Sequence, residues 1–190
     1  NNALTIIVTD PSADAADLNS VATVTRIAID ATAVRTITGT AAAIVITAQS
    51  DGITTATNYA ATVDSGTATV AQALILDAAT TGAITADIKE GDLTTLTALA
   101  DANGNNALTI TVTDTSADAA DLNTVATITS VAVDATAVTM ISGSAATCII
   151  SLQSDDISAA TNYATQVADA YGRLLSTYAR SDALPSQHNC

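Results

Sequence analysis

Short apolar runs recur along the chain, and most of them end at an aspartate. They occupy residues 5–10, 24–30, 44–51, 60–64 and 83–87, then 108–114, 128–134 and 148–155. Runs of this length, closed by a turn-forming residue, read as short strands. The aspartates stand mostly 20–27 residues apart, with one step of 13. Five runs in the first 104 residues average about 21 residues per unit.

Between the runs the period changes. Ala119, Leu122, Val125 and Ala126 fall on one helical stripe, with Ser116 as the expected N-cap and Asp118 in the first turn. Leu93, Leu96 and Leu99 follow Asp92 in the same way. Looser stripes are Val34, Ile37 and Ala41 after Asp30, and Ile157, Ala160, Tyr163, Ala164 and Val167 after Asp156. Each unit therefore reads as strand, aspartate-marked turn, then a short helix. No such unit buries its apolar face alone, and stacked units do. The expected fold is an α/β solenoid of about eight coils of about 21 residues, leucine-rich-repeat-like, some 40 Å long at about 4.8 Å per strand. The alternative is an all-β parallel β-helix with extended turns in place of the helices.

A longer repeat contains the shorter one. Residues 1–63 align without a gap to 105–167, an offset of 104, and 42 of the 63 positions are identical. The phrase SADAADLN stands unchanged at 12–19 and 116–123. The expected organisation is a first repeat over 1–104, a second, partial repeat over 105–167, and a tail over 168–190. In the tail Tyr171, Leu174, Leu175 and Tyr178 lie at helical spacing, so a helical cap is expected there.

Composition sharpens this. Ala and Thr supply 42 and 34 of the 190 residues, and there is no Phe or Trp. Small side chains suit a narrow coil whose walls lie close together. Hydrophobic content of 48% with two prolines does not fit a solvated coil. No stretch approaches 18 uninterrupted apolar residues, so membrane insertion is not expected. The formal charge is −14, and the five basic residues (Arg26, Arg35, Lys89, Arg173, Arg180) are scattered. Nucleic acid needs a basic patch and is therefore a poor partner. Cys148 lies in an apolar run and reads as a small buried hydrophobe, while Cys190 is the last residue.

The phrases ALTITVTDTSADAADLNTV and VAVDATAVTMISGSAA, joined by TGAITADIKEGDLTTLTALAD, resemble tandem Ala/Thr-rich repeats of very large surface or secreted proteins of marine cyanobacteria. The resemblance covers about residues 1–167, and the tail departs from it. It implies an extracellular or cell-surface structural role and brings no catalytic motif.

Candidate chemistry is sparse. The one histidine, His188, lies in the polar tail, and no nucleophile–base constellation forms around it. No phosphate-loop or dinucleotide motif is present, so no cofactor is expected and the chain reads as non-enzymatic. Asp101, Asn103 and Asn105 flank Gly104 in an oxygen-rich loop that is the candidate calcium site. It lacks the later bidentate Glu, and it also reads as an Asn-Gly turn before a strand. The run-ending residues Asp10, Asp30, Asp51, Asp114, Asp134 and Asp155 read either as calcium ligands between coils or as turn caps. Thr109, Thr111 and Thr113 form the best lane for ice binding, facing out while Leu108, Ile110 and Val112 face in. The expected function is a structural repeat module that associates with itself, end to end or laterally. An ice-binding or calcium-dependent adhesive solenoid is the alternative.

Overall fold

The computed structural model describes residues 2–168 and 174–179. The chain is mixed α/β with parallel sheets, and the described residues contain six helices. In order the elements are β1 (Ser12–Asp14), α1 (Ala15–Ala22), β2 (Ile29–Ala31), β3 (Thr36–Thr40), α2 (Ala41–Ala48), β4 (Ile53–Thr55), β5 (Ala60–Ser65), α3 (Val70–Ala79), β6 (Ile84–Asp87) and α4 (Leu93–Leu96). They continue as β7 (Ala107–Thr109), β8 (Ser116–Asp118), α5 (Ala119–Ala126), β9 (Val133–Ala135), β10 (Met140–Ser144), α6 (Ala145–Gln153), β11 (Ile157–Ala159), β12 (Ala164–Ala168) and β13 (Leu174–Ala179).

Two compact units interleave along the chain. One comprises Asn1–Glu90, Ala98–Thr109 and Ile128–Val131; the other comprises Gly91–Thr97, Ile110–Thr127 and Ala132–Cys190. The first holds a fully parallel sheet in the order β1-β3-β5-β6-β7 and a two-stranded sheet, β2-β4. The second holds β13-β12-β10-β8, parallel except for β13, and the pair β11-β9.

Paired residues lie a nearly constant interval apart in the chain. The interval is 24 in β1–β3, β3–β5 and β2–β4, 23 in β5–β6 and 22 in β6–β7. It is 24 in β8–β10, β10–β12 and β9–β11. This exceeds the expected 21 because the aspartates do not mark the strand-to-strand interval one for one. Asp51 precedes β4 and Asp64 lies in β5, so a single interval contains both.

Several expected elements change type. Residues 44–48 and 148–153 belong to helices α2 and α6, not to strands. Caps decide this: Thr40 accepts the N–H of Ala43 and Ser144 that of Thr147, which starts a helix through alanine-rich sequence. Ala41, Ile44 and Thr47 then point inward at helical spacing. Of the stripe from Ile157 to Val167, Ile157 lies in β11 and Ala164 and Val167 in β12, with Ala160 and Tyr163 between the strands, and Ile37 lies in β3. Helix α5 is capped by Asp118, with Ser116 in the strand before it. Residues 174–179 form β13, antiparallel to β12, where a helix was expected, and Tyr171 lies outside the described residues. Asp92 caps α4, which buries Leu93 and Leu96, while Leu99 lies beyond its end.

Threonine has a specific task in this core. Thr25, Thr80 and Thr129 are buried in turns that precede a strand or bridge. Each hydroxyl donates to the carbonyl 21 residues before it: Leu4 at 2.7 Å, Tyr59 at 2.6 Å and Leu108 at 2.7 Å. Each also accepts the N–H two residues on, from Ile27, Gly82 and Val131. Buried backbone groups that lack a ladder partner are thus satisfied by side chains small enough for the coil.

Candidate functional site

The densest polar cluster lies between the end of α3 and the start of β7, within the first unit. Asp101 folds its carboxylate back on its own loop. Its Oδ1 accepts the N–H of Asn103 (3.2 Å) and Gly104 (2.8 Å), and its Oδ2 accepts that of Asn106 (3.0 Å). Gly104 takes φ +67°, the left-handed conformation that lets the loop turn beneath the carboxylate. Asp77, on α3, accepts the Ala102 N–H and, at 3.0 Å, the Asn106 side-chain amide. Asn106 is buried, and its own oxygen accepts the Ile84 N–H at 3.0 Å.

Of the three residues expected in a calcium loop, Asp101 therefore serves both oxygens to backbone donors. Asn105 donates its amide to the Thr81 carbonyl at 3.1 Å, and Asn103 is held through its backbone N–H. What the arrangement accomplishes is closure of the loop and its anchorage on α3 and β6. Asp77 and Asn106, which the spacing does not single out, join this loop to α3 and β6. The signal was available in the repeat, since Asn106 sits in the duplicated phrase.

The run-ending aspartates divide. Asp30 and Asp134 make Asx turns: Oδ1 accepts the N–H and hydroxyl of Thr32 in one case and of Thr136 in the other. Asp114 reaches across to the Leu93 N–H at 2.6 Å, at the start of α4. The hydroxyl bonds first, then the backbone bonds, hold Asp30 and Asp134 below the ordinary aspartate range.

Nucleophilic chemistry finds no support among the described residues. Cys148 is buried and unbridged, and burial, then the charge of Asp118, push its thiol upward, away from the thiolate. His188, Arg173, Arg180 and Cys190 lie outside the described residues. Among the described residues no group of three or more His, Cys, Asp or Glu converges.

Thr109, Thr111 and Thr113 are exposed while Leu108, Ile110 and Val112 are buried, as the alternation predicts. The register places Asp87 opposite Thr109 and Asp134 opposite Thr111, so threonine does not face threonine across these strands. No described helix is long and apolar enough to cross a membrane. Compared with protein-family models, with curated proteins and with solved structures, the chain matches none.

Proposed function

We propose that this chain is a non-catalytic structural repeat module of an extracellular or cell-surface protein. Its coils stack as an α/β solenoid, and the module assembles with repeats of its own kind into a fibre, array or spacer. The observation that carries this reading is the recurrence of coil-to-coil joints at the 104-residue offset. Asn19 donates to the Ala43 carbonyl and Asn123 to the Thr147 carbonyl, at 3.0 and 3.1 Å. The Thr47 hydroxyl meets Asn19 Oδ1 at 3.0 Å, and the Ser151 hydroxyl meets Asn123 Oδ1 at 2.7 Å. The polar residues thus hold one coil on the next, which is the work of a scaffold.

The acidic surface and the resemblance of residues 1–167 to cyanobacterial surface repeats support the location. The module is taken to act without a cofactor. Electron microscopy and sedimentation of the chain at rising concentration test the reading. Filaments or regular arrays are expected, and a chain that stays monomeric at every concentration would sink it.

A further inference from the structure

One asparagine in the chain is followed by glycine, Asn103-Gly104, just before the duplicated phrase begins again at Asn105. An asparagine side chain is open to attack by the backbone nitrogen of the next residue. A side chain on that next residue crowds the approach, and glycine has none. The fold leaves this pair accessible. Asn103 and Gly104 are both exposed, and a Cβ placed on Gly104 would meet no atom within 4 Å. Asn103 is held through its backbone N–H, and its side-chain amide makes no hydrogen bond among the described residues. The amides of Asn19, Asn105, Asn106 and Asn123, by contrast, donate to fixed partners.

We propose that Asn103 is a self-modification site, where the folded chain deamidates through a cyclic imide with Gly104 and thereby loosens the Asp101 loop. The Gly104 backbone nitrogen gives its proton to hydroxide and bonds to Asn103 Cγ. The Cγ–Nδ2 bond breaks, and the amide leaves as ammonia. Water then opens the imide. Opening at Cγ leaves aspartate at position 103, and opening at the main-chain carbonyl leaves isoaspartate, whose main chain runs through the former side chain. Water is the one co-reactant, and nothing is oxidised or reduced.

The consequences fall on bonds already described. Asp101 Oδ1 accepts the N–H groups of Asn103 and Gly104, and the imide nitrogen of Gly104 carries no hydrogen. Isoaspartate lengthens the main chain by one carbon between those two donors and displaces Asn106, whose N–H bonds Asp101 Oδ2. Either product adds one negative charge to a chain of −14, in a cavity that Asn103 lines together with Asp77. Like charges repel at this range. Asp77 and Ile84 both bond the Asn106 side chain, so the disturbance reaches α3 and β6. All of these residues belong to the first unit. The inference is independent of the stacking-module reading.

The test uses the intact chain, kept folded in warm, mildly alkaline buffer made with heavy-oxygen water. Peptide mapping follows each asparagine over time, and enzymatic methylation counts isoaspartate. Position 103 is expected to change before every other asparagine, at a rate proportional to hydroxide, taking up solvent oxygen and giving both products. In the aged chain, amide exchange at Asn106 and Ile84 is expected to be about tenfold faster, as for the loss of one buried hydrogen bond. Asn103→Ser, aged alongside, is expected to keep the fresh rate. An Asn103 that stays intact in the folded chain, or that changes after another asparagine, overturns the proposal. Product at 103 with unchanged exchange at Asn106 and Ile84 overturns the loosening. Faster exchange in aged Asn103→Ser assigns the change to another lesion and overturns it as well.

Discussion

Tyr59 is the largest fully enclosed side chain, and its hydroxyl has no hydrogen-bond partner among the described residues. It lies under the Gly82 turn, where an added Cβ would overlap the Tyr59 carbonyl, so nothing larger than glycine fits there. A buried hydroxyl without a partner carries its desolvation cost uncompensated. Tyr59→Phe is therefore expected to leave the chain equally stable or more stable by about 1 kcal/mol, measured by chemical denaturation. A loss of more than that would mean that the hydroxyl is satisfied. The Asx turns make a second residue-level prediction. Folding lowers the Asp30 and Asp134 pKa values, so the folded chain keeps the ionised forms to lower pH than the unfolded chain. The resulting stabilisation is complete above the ordinary aspartate range and is lost as pH falls through the lowered folded-state values. Thr32→Val and Thr136→Val are expected to raise the titration midpoints of Asp30 and Asp134, read by carboxyl carbon NMR. Unmoved midpoints would show that the threonine hydroxyls do not set them.

At the scale of elements, paired amide bonds join successive helices. Asn19 links α1 to α2, and Asn123 links α5 to α6, each through an amide N–H and an amide oxygen. Alanine at either position removes both bonds and leaves a buried hydroxyl, Thr47 or Ser151, with less to meet. Each substitution is expected to cost about 1–3 kcal/mol, seen as a lower denaturant midpoint with an unchanged slope. A cost below about 0.5 kcal/mol would show that the joint is ornamental. These joints were hidden from pattern reading because Asn19 and Asn123 sit between apolar positions as ordinary polar residues. What was legible came from caps and alternation: Asp92 before Leu93, the inward Leu108 and Ile110, the run that became β5. The runs at 44–48 and 148–153 misled because a short continuous apolar stretch has the same appearance in a strand and in a buried helix. Only the Thr40 and Ser144 caps separate the two, through bonds to N–H groups three residues on. The candidate loop was legible as a turn, whereas its partner Asp77 is 24 residues from Asp101 and entered only through the fold.

At the scale of the molecule, the question is what ends a stack of parallel strands. In the second unit β12 pairs with β10 in parallel on one side and with β13 in antiparallel fashion on the other. Ala164 lies opposite Ala179 and Thr165 opposite Tyr178. Strand β13 therefore covers the second edge of β12. Removing it would leave the N–H and C=O groups of β12 open, and exposed edges of this kind pair with other chains. The chain's charge of −14 opposes such pairing at low ionic strength, and salt screens the repulsion. A chain ending at Ala168 is accordingly expected to sediment as larger species than the intact chain. The difference should be small at about 10 mM salt, where the Debye length is about 30 Å, and large near 1 M, where it is about 3 Å. Equal sedimentation of the two chains at high salt would show that β13 protects no pairing edge.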